Sequence, residues 1–328
     1  MRPEYLRALR PLEKTLGKCC SSFYFEWHLA DPRRTDLLYS VVREKGPSLT
    51  KSIAADPGMC ADPRWRVLQR FLDNWDTVND RLDGILPHIW LASDFDSATK
   101  RFVAPNVHFC LDPNFTRRDD IPDYRNILTE RRFSKAIRAI ADISLNSLSE
   151  PVARSMLKCF RALDAHDGEV VHLSFMHGRT PPVFKLNCTL PSSALASVLK
   201  SAGRRVDPAP VIDIVNEFAP TEKRIKCNLR IDAGVCDRFE LELEYNTPLK
   251  SDPRRKSAFE SLFRRGLAAR EQLRYLRKWP GSVQVPLGPR KIGTSFERWL
   301  DIKLVIDDQA QTTAKAYLGF SPLPVLDW

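Results

Sequence analysis

The stretch Arg224-Ile-Lys-Cys-Asn-Leu-Arg-Ile-Asp232 alternates strictly between polar and apolar residues. Side chains point to opposite faces of a β-strand in turn, so the stretch predicts a strand with one polar and one apolar face. The same alternation recurs in Phe184-Lys-Leu-Asn-Cys188, Asp301-Ile-Lys-Leu-Val-Ile306 and Ala314-Lys-Ala-Tyr-Leu-Gly-Phe320, each with lysine on its polar face. If these strands belong to one sheet, their cations meet on one surface and can bind a polyanion.

Strands of this kind come in pairs that begin near residues 88, 169, 223 and 299, and one more strand covers 22–29. Short links within the pairs predict antiparallel hairpins. Helical patterns fill the intervening sequence, at 1–17, 35–53, 64–75, 123–145, 151–163, 192–201, 211–218 and 257–279. The order predicts a single domain over residues 1–328, built from repeated αββα units, with a weak division near 150–168.

Each predicted strand has only one apolar face, so helices are expected to cover only one side of the sheet. A sheet of eight to ten twisted strands tends to curl, and closing it removes its exposed edges. We therefore predict an α+β fold in which the αββα units form an antiparallel β-barrel with helices outside and a polar lumen. An open antiparallel sheet with helices on one face is the alternative.

Strand parity identifies the side chains that would line such a lumen. They are Tyr24, Glu26, His28, His88, Trp90, Asp94, Asn106, His108, His172, Ser174, Met176, Lys185, Asn187, Arg224, Lys226, Asn228, Arg230, Glu240, Glu242, Glu244, Asp301, Lys303, Lys315 and Tyr317. Clustered lysine and arginine suit a diphosphate, and aromatic faces can shelter a carbocation. In a competing interpretation, the cations pair with Glu240, Glu242 and Glu244 across the hairpin.

Composition narrows the alternatives. The net charge of +10 is spread over helices and strands without a basic tail, which disfavours a nucleic-acid partner. The eight cysteines include no C-x-x-C pair, and no signal sequence or long apolar run is present, so we expect reduced thiols, no membrane span and a cytosolic location. Phosphate-loop, dinucleotide-binding, hydrolase and zinc-protease motifs are missing. The paired carboxylates Asp94/Asp96 and Asp119/Asp120 can bind Mg²⁺, but such residues more often serve turns.

The αββα repeat, the length and the lysines on successive strands resemble the aromatic prenyltransferases of the ABBA, or PT-barrel, fold. The resemblance implies a ten-stranded barrel that moves a prenyl group from an allylic prenyl diphosphate to an aromatic small molecule or a peptide side chain. Ala314-Lys315-Ala316-Tyr317 resembles the Lys-x-Tyr elements of that family. Asn187 and Asn228 stand where further elements of this kind would carry tyrosine.

The resemblance and the parity together assign expected roles. Diphosphate binding falls to Lys185, Arg224, Lys226, Lys303 and Lys315. Tyr317 and Trp90 shield the cation, and Glu26 is the acid or base on the acceptor side. No cofactor is required and no metal site is assigned, with Mg²⁺ as an optional ion. A non-catalytic barrel that binds a peptide or ligand as a scaffold in a biosynthetic pathway is the alternative, and an RNA- or phosphate-binding barrel is a third interpretation.

Overall fold

The computed structural model describes residues 9, 19–31, 34–82, 84, 86–111, 128–143, 148–177, 182–203, 207–231, 238–245, 253–287, 292–307 and 309–322. The strands are β1 (Cys20–His28), β2 (Thr35–Val42), β3 (His88–Ser93), β4 (Phe95–Asp96), β5 (Arg101–Phe102), β6 (Asn106–Cys110), β7 (Glu169–Met176), β8 (Val183–Pro191), β9 (Arg224–Ile231), β10 (Phe239–Tyr245), β11 (Gly281–Leu287), β12 (Ile292–Ile306) and β13 (Thr312–Pro322). The α-helices are α1 (Gly46–Ala54), α2 (Pro57–Ala61), α3 (Pro63–Arg81), α4 (Glu130–Ile143), α5 (Glu150–Asp164), α6 (Leu195–Ala202), α7 (Ala209–Phe218), α8 (Pro253–Arg264) and α9 (Arg270–Lys278).

Ten strands close into a barrel in which all neighbours are antiparallel. Their order around the ring is β1, β2, β3, β6, β7, β8, β9, β10, β12 and β13, and β13 returns to β1. The seam lies between β10 and β12, where Phe239 is opposite Ile306 and Tyr245 is opposite Leu300. The closed seam excludes the open sheet. The predicted barrel of αββα units with external helices is confirmed.

An apolar layer joins the outside of the barrel to the helices. Ile225, Cys227 and Leu229 of β9 are buried in the same core as Val198 of α6 and Phe218 of α7. Helix α5 contacts β7 and β9, and α7 contacts β10. Because the apolar side chains of the strands face this layer, their alternating polar neighbours face the lumen.

Thr35–Val42 is a strand, whereas the sequence pattern predicted a helix over 35–53. Its alternate residues Leu37, Tyr39 and Val41 are buried. Strand β2 pairs with β1 on one side and β3 on the other, which satisfies its backbone hydrogen bonds. Consecutive valines at its end favour extended backbone, and the helix begins only at Gly46, followed by a proline that fits a first helical turn. Tertiary pairing thus overrides the local apolar spacing.

The stretch from α8 to β12 agrees with the expectation in its helices and differs in its strands. The helical segments predicted over 257–279 are the two helices α8 and α9, separated by Gly266 at φ 68°. Strand β12 begins at Ile292, not near Trp299, and its first half pairs with β11, a strand that the alternation did not reveal. The predicted helix over 1–17 lies, apart from Leu9, outside the described residues, as do Asp119 and Asp120.

Two further features of the described residues concern the pairing of cysteines and the length of the helices. Seven cysteines within the described ranges form no disulfide. Cys188 and Cys227 lie opposite each other on β8 and β9 with their Sγ atoms 3.5 Å apart, well beyond the S–S bond length of about 2.05 Å. None of the helices in the described part of the chain combines the length and hydropathy needed to cross a membrane.

Truncation at the seam should destabilise the barrel. Phe239 is fully buried at the β10–β12 seam. We expect Phe239→Ala to lower the free energy of unfolding by about 3–5 kcal/mol, because the ring leaves a cavity that the closed sheet cannot fill. Urea denaturation followed by circular dichroism measures this change. Phe263→Ala, at a residue that is 43% exposed, is the control and should change it by less than about 1 kcal/mol. Equal effects would contradict the fold.

Candidate active site

The lumen holds a cavity of about 610 Å³ that brings most of the predicted site residues together. Its lining includes Glu26, Trp90, Lys185, Lys226, Lys303, Lys315 and Tyr317. These residues come from β1, β3, β8, β9, β12 and β13. Strands from different hairpins therefore contribute to one cavity the side chains that strand parity placed on one face.

Arg224 is the predicted diphosphate ligand that lies elsewhere. It is the exposed first residue of β9, outside the cavity lining. Its Nη1 donates to the carbonyl of Asp167 at 3.0 Å, and its Nη2 lies 3.5 Å from Glu169 Oε1. Its parity agrees with that of Lys226, but its position at the strand end places it with residues of the barrel rim.

Four lysines and four glutamates of the lumen form ion pairs, which we call the lysine–glutamate lattice. Its members are Lys185, Lys226, Lys303, Lys315, Glu26, Glu240, Glu242 and Glu244. Lys185 Nζ lies 2.5 Å from Glu240 Oε1. Lys226 Nζ lies 2.5 Å from Glu244 Oε1 and 3.3 Å from Glu242 Oε2. Lys315 pairs with Glu26.

The barrel seam sits in the middle of this lattice. Glu242 of β10 is opposite Lys226 of β9 on one side and opposite Lys303 of β12 on the other. Lys303 Nζ lies 2.7 Å from Glu242 Oε1 and 3.4 Å from Glu240 Oε2. Asn228 Nδ2 donates to both carboxylates, at 3.0 and 2.8 Å. The competing interpretation of the sequence, in which the cations pair with Glu240, Glu242 and Glu244, therefore describes contacts that are present. These contacts lie inside the barrel.

Mutual attraction keeps Glu240, Glu242 and Lys303, at the centre of the lattice, ionised. Burial alone would raise the pKa of Glu240, but the charges of Lys185 and Lys303 outweigh it and hold this pKa well below its usual value. Lys303 and Lys226 likewise hold down the pKa of Glu242. Burial opposes the charge of Lys303, yet Glu242, Tyr317 and Glu240 raise its pKa well above the ordinary lysine value. At neutral pH these groups are charged pairs.

His108 and His172, which line the cavity, are neutral at neutral pH. Burial, helped by nearby lysines, lowers the pKa of His108 to about 3 and that of His172 to about 3. His108 Nδ1 lies 2.6 Å from Ser174 Oγ, which donates to Asn187 Oδ1 at 2.9 Å. Asn187 therefore orders a polar chain beside the lattice, at a position where the family resemblance would place tyrosine.

Four aromatic rings also line the cavity, and we call them the aromatic cage: Tyr24, Trp90, Trp299 and Tyr317. The centroid of Tyr24 lies 5.5 Å from that of Trp90, 5.3 Å from Trp299 and 6.1 Å from Tyr317, each in edge-to-face geometry. Lys303 Nζ lies 4.9 Å from the Tyr317 centroid, which joins the cage to the lattice. The face of an aromatic ring that lines a cavity favours a positive charge beside it.

Trp299 is a cage member that the parity list did not include. It faces Gly319 across β12 and β13, and a Cβ on Gly319 would lie 2.2 Å from its ring. The glycine thus provides the space into which the ring packs. Trp299 shares a face with Asp301 and Lys303, because side chains on one face of a strand are two residues apart. Counting back two residues from Asp301 would have identified Trp299. Counting back four would have identified Glu297, which also lines the cavity.

Carboxylate clusters near the lumen are a poor fit to a metal ion. Glu26, His28 and Asp36 offer ligand atoms within 4.8 Å of one another. However, His28 Nε2 lies 2.7 Å from Asp36 Oδ2, and Lys315 and Arg34 already supply positive charge to the carboxylates. Asp96 accepts hydrogen bonds from Ala98 N and Thr99 Oγ1, as a turn residue does. We assign no step to Mg²⁺.

The fold and cavity define a barrel with a ligand-sized, charged and aromatic lumen. No family model matches the sequence, and no curated protein sequence matches it. Among solved structures, 5-dimethylallyltryptophan synthase from Streptomyces coelicolor is similar to this chain, with 11% sequence identity and a TM-score of 0.44 over 92% of this chain and 80% of that one. The roles assigned in the lumen rest on the residues of this chain.

The buried histidines predict acid sensitivity. Burial lowers the pKa of His88 to about 4 and that of His172 to about 3. Because an unfolded histidine takes up a proton near pH 6.5 and these folded ones do not, the free energy of unfolding should fall between pH 6.5 and 5, by up to about 1.4 kcal/mol per pH unit for each histidine.

Urea denaturation at a series of pH values checks this expectation. His172→Gln should flatten the slope by the share of one histidine, and His166→Gln, in the turn after α5, is the control for the loss of a histidine outside the lumen. An equally steep slope in the His172→Gln variant would contradict the assignment.

Proposed function

We propose that the protein transfers a prenyl group from an allylic prenyl diphosphate to an aromatic small molecule or a peptide side chain. One observation carries the proposal: lysines from four strands and four aromatic rings share one cavity inside a closed barrel. Lysine ammonium groups bind diphosphate oxygens, and ring faces stabilise a neighbouring cation. Both groups are needed when an allylic diphosphate ionises.

The lattice lysines would stabilise the leaving group. As the allylic C–O bond breaks, both electrons go to the diphosphate oxygen, and negative charge grows where Lys185, Lys226, Lys303 and Lys315 converge. Donors placed in advance around developing charge lower the barrier to its formation. The allylic cation that remains would lie against the aromatic cage, which excludes water and so protects the cation from hydrolysis.

Glu26 would complete the reaction on the acceptor side. The electron-rich acceptor attacks the allylic cation, and the new cationic adduct then loses a proton. Burial opposes ionisation of Glu26, but Lys315 and Lys303 outweigh it and lower its pKa, so this residue is a carboxylate at neutral pH. A weak base suffices because the ring proton of a cationic aromatic adduct is strongly acidic.

Diphosphate binding requires the lattice to open. Each lattice lysine pairs with a glutamate, so a bound diphosphate must replace carboxylates as the lysine partner. Glu240 and Glu242 then lose the charges that lower their pKa values and take up protons or rotate toward solvent, while Glu26 stays a carboxylate on the acceptor side. In this scheme the glutamates hold the lysines in place until substrate arrives.

The same pairing favours a second candidate, a non-catalytic barrel that binds a peptide or ligand. If the ion pairs are permanent, the lattice serves as a polar core and the cage alone binds a guest. Incubation with dimethylallyl, geranyl and farnesyl diphosphates and a panel of aromatic acceptors separates the two. Release of pyrophosphate that is lost in Lys226→Ala and Lys315→Ala supports the enzyme. Inert protein whose cage tryptophans still report ligand binding by fluorescence supports the binding barrel.

Removing lattice carboxylates should strengthen diphosphate binding. Glu240→Gln and Glu242→Gln each delete one negative charge within reach of two lysines. A charge about 6 Å away is worth up to about 3 kcal/mol at an effective dielectric constant of about 20, so inorganic pyrophosphate should bind about ten- to a hundredfold more tightly. Isothermal titration calorimetry measures this affinity.

Glu44→Gln is the matched control, because Glu44 lies outside the lumen with its side chain 70% exposed. Its affinity for pyrophosphate should equal that of the unaltered protein. If Glu240→Gln and Glu242→Gln also leave the affinity unchanged while both variants remain folded, the lattice lysines do not bind diphosphate.

A cytosolic location stays a prediction from the cysteines and the sequence pattern.

A further inference from the structure

The positive charge of the chain is concentrated on α8 and α9. Residues 253–278 contain nine lysines and arginines and two glutamates, a net charge of +7, against +10 for the whole sequence. Seven of the nine are arginine. The two helices lie outside the barrel, so this charge has no part in the lumen.

The same helices expose aromatic side chains. Phe263 of α8 is 43% exposed and Tyr275 of α9 is 54% exposed, and no other large apolar side chain in the described ranges is comparably open to solvent. Exposed rings within a basic surface are unfavourable for solubility alone, because they leave apolar area in water. Their position indicates a contact surface.

Arginines and rings alternate along this surface. Arg270, Arg274 and Arg277 follow one another at helical spacings of four and three, which places them on one face of α9. Arg270 Cζ lies 4.6 Å from the Phe263 ring centroid, and Arg277 Cζ lies 5.7 Å from that of Phe259. Arg274 lies 5.5 Å from Tyr275. We call Phe263, Arg270, Arg274, Tyr275 and Arg277 the arginine–aromatic stripe; Phe259 is buried and is not part of it.

Ion pairs define the limits of the stripe. Arg264 and Arg265 both pair with Glu217 at 2.7 and 2.5 Å, and Arg254 pairs with Glu222 at 2.5 Å. Arg274 has a long contact of 3.8 Å with Glu271. Arg270 and Arg277 have no ion pair with any described residue, and a guanidinium stacked on a ring keeps its N–H edge available for a carboxylate.

We propose that the arginine–aromatic stripe binds a short acidic polypeptide segment that also carries apolar side chains. Arginine and aromatic residues are enriched in protein interfaces while lysine is depleted, as on these helices. Three guanidinium groups within about 11 Å of helix length match a few carboxylates, not the long charge track of a nucleic acid. The rings would receive the apolar side chains of the segment.

The test uses the full chain and a fluorescein-labelled peptide of four Glu-Leu-Glu-Phe repeats, with binding followed by fluorescence anisotropy. The same repeats with glutamine for glutamate, an oligo-dT strand and phosphatidylserine vesicles are the comparison probes. The acidic peptide should bind, the glutamine peptide should bind at least tenfold more weakly, and added salt should reduce binding. Absence of binding, or equal binding of the glutamine peptide, oligo-dT or vesicles, would overturn the proposal.

Variants assign the binding to the stripe. The double variant Arg270→Gln with Arg277→Gln should reduce affinity at least tenfold, and Tyr275→Ala severalfold, with unfolding transitions close to that of the unaltered protein. Lys51→Gln with Arg66→Gln, exposed cations on α1 and α3, is the charge-matched control and should bind normally. Should the arginine variant unfold, Arg270→Lys with Arg277→Lys keeps the charge and should still weaken binding through lost stacking. If folded stripe variants bind the acidic peptide with unchanged affinity, the proposal that the stripe binds it is refuted.

Discussion

Charged side chains inside a closed barrel must neutralise one another, and this constraint shapes the lumen. An isolated buried charge is several kcal/mol unfavourable, and removing one partner of a buried pair is typically destabilising by about 3–5 kcal/mol. The lysine–glutamate lattice satisfies the constraint with pairs that span neighbouring strands, including the β10–β12 seam through Glu242 and Lys303. Closure of the sheet and completion of the lattice therefore support each other.

The lattice also determines which chemical groups can bind in the cavity. An anionic guest competes with glutamates for the lysines, whereas an apolar or transiently cationic group finds the aromatic cage already assembled, with Trp299 seated over Gly319. Lys303 touches both environments, since it pairs with Glu242 and lies beside the Tyr317 ring. A substrate with a charged head and an apolar tail would contact both the lattice and the cage, and a prenyl diphosphate has these two parts.

The alternation of polar and apolar side chains was enough to predict the barrel and most of its lining, because the two faces of a half-buried strand carry different types of residue. It failed at Thr35–Val42, where apolar spacing suits a helix and only pairing with two neighbours selects a strand. It also missed the first half of β12, and the predicted lining left out Trp299, although the predicted strand began at that residue. Strand parity could place Lys226 and Glu242 on one face. It could not decide whether the two side chains form an ion pair or bind a ligand together, because that depends on distances across a seam formed by residues far apart in sequence.

The most direct measurement is a crystal structure of the protein with geranyl S-thiolodiphosphate, an analogue that resists ionisation. The account predicts diphosphate oxygens at about 2.7–2.9 Å from the Nζ atoms of lattice lysines, with Glu240 and Glu242 turned away and the geranyl chain against the aromatic cage. An analogue bound outside the lumen, or excluded from it at saturating concentration with every lysine–glutamate pair intact, would contradict the account.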